Sequence, residues 1–145
     1  MEAVSAVKMR KSQEKALSGR PYVHAALRIL AQLASSEDGL QHPLAKKRES
    51  GKTLLVIVTS DKGLAGSVNS AVLKKAEKVF VESDNVDVIA IGRKAVEFAS
   101  RGKKKTLGEF TNISDEVTLE DVYEMTKIIM DCLLYTSDAA DEVLG

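Results

Sequence analysis

Two textures divide the chain. Residues 2–36 are dominated by Ala, Leu, Lys, Arg, Glu and Gln, all good helix formers. Val4, Val7, Leu17, Val23, Leu27, Leu30 and Leu33 recur as an intermittent apolar stripe, with Ala3, Ala6, Ala16 and Ala26 beside it. This spacing predicts one long helix over 2–36. Gly19-Arg20-Pro21 interrupts the pattern. Proline removes a backbone donor and clashes with the preceding turn, so a kink or break is expected there. Up to Ser18 the helix is thin in large apolar residues, and such a segment is marginal in water without a partner helix.

From Thr53 the pattern shifts to short apolar runs alternating with amphipathic stretches. LLVIV (54–58) is continuous, branched and apolar, which predicts a strand buried on both faces. Val68–Glu82 predicts a helix whose apolar face holds Val68, Val72, Leu73, Ala76, Val79 and Phe80. VDVIAI (86–91) predicts a second buried strand. Gly92 and Arg93 open a helix through Ala99, with Gly102 placed as its C-terminal cap. Lys105–Phe110 predicts a weaker third strand. Thr118 is the expected N-cap of a further helix, with Asp121 three positions on. Strands alternating with short helices imply a parallel sheet with right-handed crossovers. The predicted class is α/β: a long N-terminal helix followed by a small, incomplete Rossmann-like β-α-β sheet. The expected organisation is 1–36 helix, 37–52 linker, 53–131 Rossmann-like domain and 132–145 tail.

Charge refines this division. The 145 residues carry equal numbers of acids and bases, so the total points to neither nucleic acid nor membrane. Its distribution is uneven. Before residue 37 the bases Lys8, Arg10, Lys11, Lys15, Arg20 and Arg28 face only Glu2 and Glu14, whereas from Thr106 onward Lys127 is the lone base. A basic front and an acidic back suit segments with different partners, or two solvated faces. The apolar runs are far shorter than the ~20 residues that a bilayer span requires. Cys132 is the single cysteine, which excludes a disulfide framework and cysteine-rich zinc sites. His24 and His42 stand in no metal-ligand spacing, and each reads as a surface or capping residue.

Two glycine-bearing turns invite a nucleotide reading. Gly51-Lys52-Thr53 shares letters with a phosphate loop, but that loop follows a strand and needs a glycine five residues earlier, where Lys46 stands. The Lys46-Lys47-Arg48 triplet reads as a phosphate patch or as a solvated loop. Asp61–Ser67 lies at the carboxyl end of the first strand, where ligands bind in open parallel sheets. Its G-x-x-G is not the dinucleotide fingerprint, and a tight strand-to-helix turn uses glycine equally well. Asp84 or Asp87 stands roughly where a ribose-binding carboxylate would. No paired-carboxylate, Ser-His-Asp or Cys-His constellation stands out.

Four elements, in order and at matching spacing, carry a resemblance. VSAVKMRKSQEKALSGRPY (4–22) includes a K-M-R-K-x-Q run and R-P-Y; VTSDKGLAGSVNSAVLKK (58–75) includes T-x-D-K-G-L-x-G-x-x-N; IGRKAVEF (91–98) supplies a G-R-K element. Together they resemble the gamma subunit of F-type ATP synthase, with Ala65 in place of a frequent cysteine and Ser67 in place of glycine. The resemblance implies a rotor shaft. The N-terminal helix would be half of an antiparallel coiled coil inside the ring of alpha and beta subunits. The Rossmann-like domain would meet the epsilon subunit and the membrane c-ring. It implies no bond chemistry, no cofactor, no metal and no nucleic acid, and a peripheral place on the cytoplasmic face of the bacterial membrane. Carried over residue by residue, it marks Met1, Glu2, Lys8, Met9, Arg10 and Lys11 as contacts to the alpha/beta hexamer, and Asp61, Lys62, Gly63, Gly66 and Asn69 as a subunit-contact loop. Met1 is expected to be an internal methionine. CLLYTSDAADE (132–142) departs from the family and resembles translated read-through of a library adapter, so 132–145 is expected to be an artefactual tail, with a fourth strand and the C-terminal helix missing and an apolar sheet edge left open. Two other functions fit the bare pattern: a small nucleotide- or phosphate-binding module using Asp61–Ser67, and a helical adaptor acting through 2–36 alone.

Overall fold

A computed structural model describes residues 2–36, 39, 41–44, 51–63, 66–113 and 117–142, with side chains over 3–134 of these. The chain divides into two units, Met1–Lys47 and Arg48–Gly145.

The first unit is carried by α1, Glu2–Ala34. Its 33 residues span about 50 Å at 1.5 Å per residue. Of the kink or break expected at Pro21, the break does not occur: the helix runs on with Pro21 inside it. The missing N–H costs the Leu17 carbonyl its helical partner, but Leu17 is exposed, and on an exposed helix water takes that place. The C-terminus is closed by serines. Ser35 and Ser36 donate from Oγ to the carbonyls of Gln32 and Leu33 at 2.8 and 2.6 Å. The apolar stripe lies open along the helix: Val4, Val7, Leu17, Val23, Leu27, Leu30 and Leu33 are all more than half exposed. The linker is described only in part, and Lys46, Lys47 and Arg48 lie outside the described residues. His42 there serves its own turn, with Nδ1 accepting from Leu44 N at 3.2 Å.

The second unit is a three-stranded parallel sheet in the order β1-β2-β3, with β1 Thr53–Val58, β2 Val86–Ile91 and β3 Lys105–Phe110. The crossovers are α2, Val68–Glu82, and α3, Arg93–Arg101. The register sets two faces. Leu55 pairs Val88 and Ile57 pairs Ala90, while Val56 pairs Ile89 and Val58 pairs Ile91. The first set joins Val86, Ala76, Ala95 and Ala99 in the core. Small alanines on the helices let them approach the sheet, and Phe80 stacks on Phe98 between α2 and α3 at 5.5 Å. Lys104 Nζ lies 5.1 Å over the Phe80 ring and closes that cluster.

On the opposite face α4, Leu119–Glu142, packs against β3. A Cβ on Gly108, the β3 partner of Ile89, would stand 3.2 Å from Ile128 Cδ1 of α4. Between Thr106 and Gly108 the pairing skips Leu107, a bulge on β3.

Burial corrects one strand. β2 is buried on both faces, as its run predicts, but β1 is an edge strand with Val56 38% and Val58 58% exposed. Only Ile57 of β1 is buried. Val56 and Val58 are thus open on the face they share with Ile89. Gly102 occupies the C-cap of α3, but it is right-handed (φ −73°), and the left-handed residue is Lys103 at φ 50°. Val68, assigned to the packed face of α2, is 65% exposed.

The N-terminus of α4 holds as expected. Thr118 N and Oγ1 donate to Asp121 Oδ2 at 2.9 and 2.8 Å, and Asp121 N donates to Thr118 Oγ1 at 3.3 Å. This reciprocal cap satisfies donors that the first helical turn leaves over. The bond from the Thr118 backbone, then that from its hydroxyl, holds the Asp121 carboxyl below the ordinary aspartate range. A depressed carboxyl stabilises the fold above its unfolded pKa, and that contribution is lost as pH falls through the lower folded value. Helical circular dichroism is expected to fall in acid in this range, and Asp121→Asn should flatten that part of the titration.

Candidate functional site: the strand-end turn

The carboxyl ends of β1 and β2 meet the N-terminus of α3, and the sequence Thr59-Ser60-Asp61 joins them. An α-helix begins with backbone N–H groups that have no helical partner. In α3 each of the first three finds one in this tripeptide, in reverse order. Arg93 N donates to Asp61 Oδ1 at 2.9 Å. Lys94 N donates to the Ser60 carbonyl at 3.5 Å. Ala95 N donates to Thr59 Oγ1 at 2.9 Å. The cap is thus supplied by residues 32 to 36 positions away, and it ties the end of β1 to the start of α3.

Asn69 of α2 locks the other side of the turn. Its Oδ1 accepts from Ser60 N at 3.1 Å, and its Nδ2 donates to Ser60 Oγ at 2.8 Å. Ser60 Oγ in turn donates to the Lys62 carbonyl at 2.6 Å. Gly66 turns the chain with φ 59°. Gly92 is the tightest point: its N–H donates to the Phe110 carbonyl at 2.7 Å, and its φ is 91°. The Arg93 side chain reaches Asn112 Oδ1 at 3.5 Å, so the turn after β3 is drawn in as well.

Helix N-termini bind phosphate because the free donors and the dipole both favour an anion. At α3 the protein's own Asp61 carboxylate already fills that role. The turn is a closed structural knot, and its chemistry opposes a nucleotide there. Asp61→Ala is expected to lower the stability of the sheet unit by about 1 kcal/mol, the usual value of a lost N-terminal cap, as read by urea unfolding.

Of the loop residues marked from sequence, Asp61 and Asn69 are the working side chains. Lys62 contributes through its carbonyl while its side chain is exposed, and Gly63 has open space where a Cβ would stand. The sequence did not mark Thr59, Ser60 or Asn112, and it placed Gly92 only as the opening of a helix, which is where it stands. No local signal marks Thr59 or Ser60, since the donors that this turn caps lie 32 to 36 positions further on. The second marked set lies on α1, in the other unit. Lys8, Met9, Arg10 and Lys11 are exposed, and Arg10 Nε pairs Glu14 Oε1 at 3.0 Å. Glu2 is in the helix with its side chain not described, and Met1 lies outside the described residues.

Lys52, from the triplet that mimics a phosphate loop, points its Nζ to Asp87 Oδ2 at 3.5 Å and gives that buried carboxylate a partner. Burial first, and then Asp87 and Asp131, push the Cys132 thiol up, so it stays protonated and weakly nucleophilic at neutral pH. Among the described residues no His, Cys, Asp and Glu side chains are grouped to hold a metal ion, and no helix is long and apolar enough to cross a membrane.

The geometry defines a Rossmann-like α/β chain with an exposed helical rod and a self-capped strand-end turn. A family model described as ATP synthase matches residues 1–144. Similar proteins include the ATP synthase gamma chain of Desulfitobacterium hafniense, 34% identical over 99% of this chain and 50% of its own length. The gamma chain of Alkaliphilus metalliredigens is 35% identical over 99% of this chain and 49% of its own. Among solved structures, a chain of the Tetrahymena thermophila mitochondrial ATP synthase central stalk and c-ring superposes with a TM-score of 0.65 at 25% identity, covering 86% of this chain and 55% of that one. The chain belongs to the ATP synthase gamma-subunit family. It spans about half the length of the curated relatives it matches, and the matched span takes in residues 132–144 of the tail.

Proposed function

We propose that the chain acts as central-stalk rotor material of F-type ATP synthase, transmitting torque between the membrane c-ring and the alpha/beta catalytic hexamer during proton-driven ATP synthesis. The observation that carries this reading is the match to gamma chains over nearly all of this chain and about half of theirs, and the fold agrees with it. α1 is a rod whose apolar stripe is open, the condition of a coiled-coil strand that meets a second helix. The sheet unit is knotted by polar bonds at its strand ends, which stiffens it. The subunit is non-catalytic in this reading and sits peripherally, on the cytoplasmic face of the bacterial membrane, through epsilon and the c-ring. Lys8, Arg10 and Lys11 meet acidic loops of the hexamer, where charge complementarity steers and registers the contact.

The test is capture of the chain by a purified alpha/beta hexamer. Capture is expected, and the double reversal Arg10→Glu/Lys11→Glu is expected to weaken it at least about tenfold, or ~1.4 kcal/mol. Absence of capture by the unaltered chain overturns the rotor reading. Unchanged capture of the reversed variant overturns the assignment of these two residues. Titration with ATP, ADP and NAD is expected to give no saturable micromolar binding; such binding, abolished by substitutions in 61–67, would restore the nucleotide-module alternative.

A further inference from the structure

α1 contains one glycine and one proline, Gly19 and Pro21. These are the two poorest helix formers, and here they stand within one turn. Three weaknesses in the backbone ladder meet at that turn. Pro21 has no N–H for the Leu17 carbonyl, and its ring crowds that carbonyl. Ser18 Oγ donates to the Lys15 carbonyl at 2.9 Å, the acceptor that the regular ladder gives to the Gly19 N–H. A serine that bonds back in this way loosens a helix and often bends it. Gly19 has no side chain to restrict its backbone. On either side the helix is better braced. Arg10 Nε pairs Glu14 Oε1 across one turn at 3.0 Å, and 23–34 is rich in alanine and leucine.

The weaknesses lie on opposite sides of the rod. Gly19, Val23, Ala26 and Leu30 follow at intervals of four, three and four residues, so they share a face. Pro21, two positions from both Gly19 and Val23, lies on the other side. Nothing lies within 4 Å of a Cβ placed on Gly19, and Val23 and Leu30 are 53% and 58% exposed. A rod bends by opening its ladder on one side and closing it on the other. Here the side that has lost a hydrogen bond is free to open, and the side that lacks a side chain is free to close. Proline and Ser-Gly pairs are the usual places at which long helices kink.

We infer that α1 is jointed at Ser18–Pro21, with 2–17 and 22–34 as two stiffer segments that bend toward the Gly19–Val23–Leu30 face. The bend makes that apolar face concave and the Pro21 face convex, and it opens the freed Leu17 carbonyl to water. The joint is a property of the helix itself and does not rest on the rotor reading. Within that reading, it concentrates the compliance of this part of the shaft in a single turn.

Distances between spin labels on the full chain, in a Cys132→Ser background, measure the bend. Ser12→Cys/Leu30→Cys and Arg10→Cys/Arg28→Cys place labels at exposed positions. Each pair is separated by 18 residues, which is five whole turns and about 27 Å along a straight helix. The first pair lies on the concave side and the second on the convex side. With side chains about 5–6 Å from the axis, a bend of about 20° should bring the first pair closer by about 2 Å or more and move the second apart by a similar amount. Gly19→Ala/Pro21→Ala should bring the two mean distances together and narrow both distributions. Equal means for the two pairs in the parent overturn the joint, because a straight or an evenly frayed helix treats its two faces alike. A difference that survives the double substitution overturns its assignment to this turn.

Discussion

Gly92→Ala is expected to be among the most damaging single substitutions in the sheet unit, lowering its stability by about 3 kcal/mol or more. Two costs combine. Gly92 holds φ 91° and ψ 146°, a region that is nearly reserved for glycine and costs other residues about 1–3 kcal/mol. A Cβ there would also stand 2.1 Å from the Thr59 carbonyl oxygen and 2.8 Å from Thr59 Oγ1. The first of these atoms is backbone, so the methyl group can be accommodated only if the end of β1 moves away from α3. That movement would break the Thr59 to Ala95 bond and loosen the Asp61 to Arg93 bond. Gly63→Ala is the control: nothing lies within 4 Å of a Cβ there, and its effect should be within about 0.5 kcal/mol. Gly66→Ala should fall between them at about 1–2 kcal/mol, from its left-handed φ of 59° in open space. Urea unfolding of the three variants ranks them. Equal losses for Gly92 and Gly63 would mean that the strand-end knot does not hold the unit.

The elements themselves were legible in the sequence because each is specified locally. Val68–Glu82, Val86–Ile91 and Lys105–Phe110 carry their period and their punctuation within their own residues, and they stand where the pattern put them. The Thr118 cap was legible for the same reason, since both of its partners lie within three positions. What escaped was set by partners distant along the chain. LLVIV and VDVIAI have the same apolar texture, yet β1 is an edge and β2 the centre. Nothing within either run says which one gains neighbours on two sides. Likewise Thr59, Ser60 and Asp61 look like an ordinary turn until α3 arrives more than thirty residues later to use their oxygens. The helix does not end at Pro21, because the carbonyl that loses its partner there is on an exposed helix where solvent can take the place of the missing donor. As for the site, the family motif located Asp61 and Asn69, but only the fold shows that they cap and brace, and that the glycines near them answer to backbone geometry.

Ile89→Ala should cost about 2–4 kcal/mol, whereas Val58→Ala, one strand over on the same face, should cost well under 1. Both are branched residues in apolar parallel strands, and intrinsic propensity does not separate them. Burial does: Ile89 is 0% exposed and Val58 is 58% exposed. Ile89 pairs Val56 on one side and Gly108 on the other, and Ile128 of α4 lies over Gly108. Removing three carbons from Ile89 would leave a void between the sheet and α4, and a bulged β3 beside it is poorly placed to collapse into that space. The loss should therefore appear both as a lower urea midpoint and as faster amide exchange in the α4 residues around Ile128, while α1 is unaffected. Val58→Ala should leave both readings near those of the parent. Equal costs at the two positions would mean that the β1 half of this face is covered as fully as the β3 half, and that β1 is not the open edge of the sheet.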